Sequence, residues 1–65
     1  MKTKDINKAI KHLGVQIVRG RGYQYFIDLD TEDQIGESVY VCYLNHLSLE
    51  EWVERAQMAR SEHSN

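Results

Sequence analysis

The side chains that could do chemistry are few and scattered. Histidines stand at His12, His46 and His63, and the single cysteine is Cys42. A transition-metal centre needs several such ligands converging, often as an i, i+4 pair on a helix, and no two histidines here share that spacing. Cys42 and His46 are near in sequence, yet thiolate catalysis also needs a third group to orient the base, and no such residue can be named. Within an apolar run, Cys42 reads as an inert small hydrophobe. Asp28, Asp30, Glu32 and Asp33 begin like a calcium loop. The position that requires a turn glycine holds Asp33, however, and the closing position that requires a bidentate glutamate holds Val39. A solvated acidic turn is the better reading. Gly20 and Gly22 lack the third glycine, the lysine and the helix start of a phosphate loop, and mark a hairpin instead. With no nucleophile, base and orienter to assemble, the chain is read as a non-enzyme that folds without metal or cofactor.

Binding chemistry has more to work with. Arg19 and Arg21 flank the hairpin glycines, and Tyr23, Tyr25 and Phe26 follow at once. The run Arg21-Gly22-Tyr23-Gln24-Tyr25-Phe26 resembles the basic-glycine-aromatic strand of RNA-recognition domains, and Val39-Tyr40-Val41 resembles its companion strand. That resemblance implies stacking of unpaired bases on Tyr23 and Tyr25 with Arg19 and Arg21 on phosphates. Those domains are longer, place the two strands in the opposite order and carry a small residue where Gln24 stands. Tyrosine and valine are also good strand formers for their own sake. Eight basic against ten acidic residues, a formal charge of −2, supply no strong field for a polyanion, so any such contact must rest on a local patch.

The elements that position these residues follow from periodicity. At 65 residues the chain has room for one domain spanning 1–65, and a domain of that size buries only about 60% of its unfolded surface. Apolar residues at 42% and charged residues at 28% make a globular mixture rather than a disordered one. Ile6, Ala9, Ile10 and Leu13 recur at helical spacing, with Thr3 as the expected N-cap and Gly14 as the C-cap. Val15 to Arg19 is a short β-branched strand, and Gly20-Arg21-Gly22 turns it into the next. There Tyr23, Tyr25, Ile27 and Leu29 alternate with Gln24, Phe26 and Asp28. The first set is expected to meet the helices, which would put Phe26 outside.

Asp30 to Glu37 reads as a loop and Ser38 to Leu44 as a third strand, apolar on both faces. Ser48 and Glu51 form an S-x-x-E capping box, with Leu47 and Trp52 as the flanking staple, so a second helix starts at Leu49. Its expected core face is Leu49, Trp52, Val53 and Ala56, with Glu51 pairing to Arg55 and a frayed tail at 61–65. The expected fold is α+β, in the order α-β-β-β-α, with a three-stranded antiparallel sheet and both helices on one face. Helices on one side leave the other side of the sheet apolar, where the third strand contributes either Tyr40 and Cys42 or Val39 and Val41; Phe26, Tyr40 and Cys42 are read as an interface with a protein partner or a second copy. A lone cysteine allows no internal disulfide, no run reaches ~20 apolar residues, and the charges of Met1 to Lys8 lack the apolar run behind them that a leader needs, so neither secretion nor membrane insertion is expected. The expected location is the cytoplasm, without membrane contact.

Two family resemblances add to this. The opening Met1-Lys2-Thr3-Lys4-Asp5-Ile6, carried on to Gly20-Arg21-Gly22, is similar to HicA-type toxins, small ribonucleases of the double-stranded-RNA-binding fold. The likeness implies that fold; the activity does not carry over, because Gly22 leads into Tyr23 and Gln24 without the family's catalytic histidine. Glu50, Glu51 and Glu54 also stand on helix two where basic residues would face duplex phosphates. A looser likeness covers Leu13-Gly14, Arg19-Gly20-x-Gly22-Tyr23-x-Tyr25-Phe26, Ser38-Val39-Tyr40-Val41 and Leu47-Ser48-Leu49-Glu50-Glu51-Trp52. It resembles small uncharacterised phage and prophage proteins, which implies an accessory protein that binds a host or phage protein. A nucleic-acid-binding or vestigial ribonuclease domain is the alternative.

Overall fold

Ile6 and Ile10 lie one turn apart and are both buried, which gives α1 (Thr3–Ile10) the stripe it turns to the sheet. Lys2, not Thr3, holds the cap position, and its backbone N–H donates to the Asp5 carboxylate at 2.9 Å. A 3₁₀ turn (Lys11–Leu13) tightens the end, and Gly14 closes it in the left-handed region at φ 71°. Strands β1 (Val15–Arg19), β2 (Gln24–Asp28) and β3 (Gln34–Val39) follow as an antiparallel meander with β2 in the centre. A second 3₁₀ turn (Leu44–His46) leads into α2 (Leu49–His63). In this computed structural model, which describes residues 1–63 and their side chains through residue 62, α1 packs on β1, α2 packs on β3, and the helices touch each other. The architecture is α+β, in the expected order.

The face of β2 is the reverse of the expected one. Gln24, Phe26 and Asp28 point to the helices, while Tyr23, Tyr25 and Ile27 lie half-buried on the other side and Leu29 is 42% exposed. Cross-strand pairing explains the reversal. Val15 opposes Asp28, Ile17 opposes Phe26 and Arg19 opposes Gln24, and directly opposed residues share a face. Val15 and Ile17 are buried, so their partners must be inward too. Phe26 is only 1% exposed and meets Trp52 edge to face, with centroids 6.4 Å apart. Its expected place on an outer interface is therefore overturned.

The third strand also differs: it runs Gln34–Val39 rather than 38–44. Gln24 and Phe26 oppose Val39 and Ile35, so a two-residue step in β2 faces a four-residue step in β3. Gly36 sits in this bulge at φ 66°, and a Cβ there would lie 2.6 Å from Ala59 Cβ of α2. Glycine supplies both the backbone angle and the close approach of helix to strand. Beyond Val39 the chain turns sharply, Val41 N–H donating to the Val39 carbonyl at 3.0 Å. It thereby leaves the sheet before Tyr40 and Cys42 can act as strand residues. Leu44 then enters the core, and its carbonyl accepts the Trp52 indole N–H at 2.7 Å.

The capping box forms as read. Ser48 N–H donates to Glu51 Oε1 at 3.1 Å, and Glu51 N–H donates to Ser48 Oγ at 3.2 Å. Glu51 thus turns back to the cap instead of reaching for Arg55. Trp52, Ala56 and Ala59 form the buried stripe of α2, Val53 is half-buried, and Leu49 is exposed. Ser61 to His63 continue the helix rather than fray, and Ser64 and Asn65 lie outside the described residues.

Two substitutions test this packing. Trp52→Ala should cost roughly 3 to 5 kcal/mol, the usual range for emptying a buried aromatic site. Gly36→Ala adds a single methyl group, yet it should destabilise the fold by more than the ~1 kcal/mol typical of a point mutation, because both the backbone angle and Ala59 oppose it. Urea unfolding of both variants checks this. A Gly36→Ala midpoint at the wild-type value would show that α2 does not rest on the bulge.

Candidate functional site

The helices leave one face of the sheet uncovered, and aromatic residues gather there. Tyr25 opposes Val18 of β1, and Ile27 opposes Gln16 of β1 and Gln34 of β3, so these side chains share the helix-free side. Tyr23 stacks on Tyr25 with centroids 5.9 Å apart and planes inclined by 27°, and on its other side it meets Tyr40 at 6.3 Å. Mutual contact leaves Tyr23 and Tyr25 half-buried, whereas Tyr40 is 82% exposed. The hairpin shapes one end of the cluster. Gly20 N–H donates to the Tyr23 carbonyl at 2.8 Å, and a Cβ on Gly20 would collide with the Tyr23 ring. Glycine at that position is what lets the ring lie down over the turn.

Of the residues singled out from the sequence, Tyr23, Tyr25 and Tyr40 are brought together. Arg21 is exposed at the tip of the hairpin, whereas Arg19, exposed at the end of β1, opposes Gln24 and so belongs to the helix-covered face. Phe26 is withdrawn into the core. Cys42 is an exposed free thiol on the segment after β3, not part of an apolar strand. His12 is exposed on the turn after α1, His46 is exposed against the Tyr43 ring, and the side chain of His63 lies outside the described part. Among the described residues, no three His, Cys, Asp or Glu side chains converge as metal ligands. No helix among them is long and apolar enough to cross a membrane.

The far end of the sheet is held by a clasp that pattern reading missed. Arg60, on α2, donates Nε–H to the Leu13 carbonyl at 2.9 Å, one terminal nitrogen to the Gly14 carbonyl at 2.7 Å, and the other to Asp28 Oδ2 at 2.9 Å. One guanidinium therefore ties α2, the end of the first helical segment and the end of β2. The other oxygen of Asp28 accepts the backbone N–H of Asp30 at 2.7 Å and of Thr31 at 3.1 Å. Asp28 thus organises the acidic turn in which Glu32 takes a left-handed backbone angle of 62°. The sequence signal was there: an aspartate two residues before Asp30-Thr31 is the pattern of an Asx turn. Its guanidinium partner lies 32 positions away and has no local signature.

Gln24 is the second buried polar residue. It is 1% exposed, its Nε2 donates to the Val41 carbonyl, and its Oε1 has no partner among the described residues. That bond fixes the segment carrying Tyr40 against the start of β2. At the opposite edge, Asn7 Oδ1 of α1 accepts the Ile17 backbone N–H of β1 at 2.7 Å. A side chain so placed occupies a donor on an edge strand that would otherwise be free to pair with another chain.

Family models, curated proteins and solved structures give no match to this chain.

The Asp28 carboxyl is held below its ordinary value of 3.8, first by the Asp30 N–H, then by the Arg60 guanidinium and the Thr31 N–H, with burial opposing them. A carboxyl whose folded pKa is depressed contributes stability that is fully present above its ordinary value and is lost as pH falls through the lowered one. Thermal unfolding should therefore hold near neutrality and weaken in the acid range. Asp28→Asn should lower the neutral midpoint and flatten the acid limb; parallel acid limbs in the two proteins would assign the loss to other carboxylates.

Proposed function

We propose that this chain is a non-catalytic interaction domain, of the phage or prophage kind its sequence resembles, that docks a protein on the helix-free face of its sheet in the cytoplasm. The observation that carries the reading is the cluster of Tyr23, Tyr25 and Tyr40 on that face. Tyrosine offers a broad apolar ring with a polar tip at low conformational cost, and with arginine it dominates the residues on which protein interfaces depend. Val18 and Ile27 extend the apolar surface, and Arg21 stands at its hairpin end. A face of this composition is more than a sheet needs for its own stability.

One observation favours a second reading. The near-parallel stack of Tyr23 on Tyr25 at the hairpin that carries Arg21 is also a platform for unpaired bases. Against it stand the acidic turn at the other end of the same strand and a single arginine at the hairpin tip. Duplex binding through the helices is disfavoured by Glu50, Glu51 and Glu54, all exposed on the first turns of α2.

A double substitution Tyr25→Ser, Tyr40→Ser tests the docking face. Wild type should form a protein complex, with itself or with a component of host lysate, that survives nuclease treatment. The double variant should lose that complex while its circular dichroism is unchanged. Binding of labelled single-stranded RNA that weakens as salt rises and vanishes in the double variant would replace this reading with the second.

A further inference from the structure

The tyrosine face has a charge pattern along the strands that points to one occupant. At the hairpin end of β2 stands Arg21; at its other end the turn carries Asp30, Glu32 and Asp33, all exposed. Between them Tyr23, just before β2, and Tyr25 and Ile27 of β2 lie on the helix-free side, with Tyr25 in the middle. We propose that a second copy of this chain covers the face, sheet against sheet, about a two-fold axis that lies in the interface perpendicular to the strands. The proposal rests on the docking face described above and names its occupant.

The axis follows from the charges. Two sheets packed face to face can be related by a two-fold axis along the strands or across them. An axis along the strands lays Arg21 over Arg21 of the second copy and carboxylates over carboxylates, which is repulsive at both ends. An axis across the strands reverses the second copy, so each basic hairpin meets the other copy's acidic turn. The same operation places Tyr25 opposite its own symmetry mate and Tyr23 opposite Ile27 of the second copy. Aromatic and aliphatic side chains then fill the centre while charge pairs close the rim, the usual anatomy of a protein interface. The uncovered aromatic surface and the opposed charges at its ends are thus satisfied by a single symmetric contact.

Sedimentation equilibrium of the full chain, with circular dichroism as the folding control, tests the proposal. Wild type should dimerise with concentration and weaken as salt rises. Tyr25→Glu should raise the dissociation constant roughly tenfold or more, as for a central interface residue, while Tyr25→Phe keeps the dimer. The salt dependence decides the axis, since a dimer about an axis along the strands would tighten as salt rises; two charge variants, Arg21→Glu and Glu32→Lys with Asp33→Lys, test the pairing of the ends. Each alone should be monomeric, and an equimolar mixture should restore the dimer, because each reversed end then meets its complement. A wild type that stays monomeric at all concentrations would overturn the proposal, as would a dimer indifferent to Tyr25→Glu or a charge-variant mixture that fails to associate. If wild type is monomeric but holds a nuclease-resistant partner that the Tyr25, Tyr40 double variant loses, the docking face stands and only the second copy is excluded.

Discussion

A chain of 65 residues can fill one hydrophobic layer, and here that layer lies between two helices and one face of a three-stranded sheet. Trp52 is its centre. The indole is fully buried against Phe26, and its N–H is satisfied by the Leu44 carbonyl, so the ring can be apolar filler without stranding a donor. Everything else adjusts to that ring. Leu44 must leave the line of β3 to meet it, Gly36 must lack a side chain so that α2 can come close, and Phe26 must face inward to complete the contact.

Turning β2 so that Phe26 is inside also brings in Gln24 and Asp28, and burying polar groups costs free energy unless they are bonded. Each is put to use. Asp28 accepts two backbone N–H groups of its own turn and the guanidinium of Arg60, which also donates to the two carbonyls that end the first helical segment. Gln24 holds the chain after β3 through the Val41 carbonyl. The two polar residues thus fasten opposite ends of the central strand, one to the acidic turn and α2, the other to the segment that carries Tyr40. Each bond fixes an edge of the uncovered face.

The same choice sends Tyr23, Tyr25 and Ile27 outward. A central strand needs side chains on both faces, and when one face is covered by helices, the residues on the other shield one another or find a partner. The tyrosines do the first in part, stacking at the hairpin end over Gly20. The interaction role proposed for the chain is a consequence of that incomplete shielding. On that proposal the sheet surface does the binding and the helices hold the fold.

Local chemistry determined the elements. The capping box at Ser48 and Glu51, the left-handed Gly14, the hairpin glycines and the order of helix, strands and helix were legible because each depends on neighbours within a few residues. The aromatic cluster is half legible: Tyr23, Tyr25 and Tyr40 stand out in the sequence, but its alternation predicts the covered face for Tyr23 and Tyr25 and the open one for Phe26. A strand whose two alternating sets are both apolar contains no internal sign of which set faces inward. Only pairing with Val15 and Ile17 across the hairpin decides it. The length of β3 was misread for a related reason, since its polar first half is held by a bulge against α2 and its apolar continuation is pulled away by Trp52. The Arg60 clasp depends on side chains brought together from three distant segments, and distance along the chain hides such a contact from any local pattern.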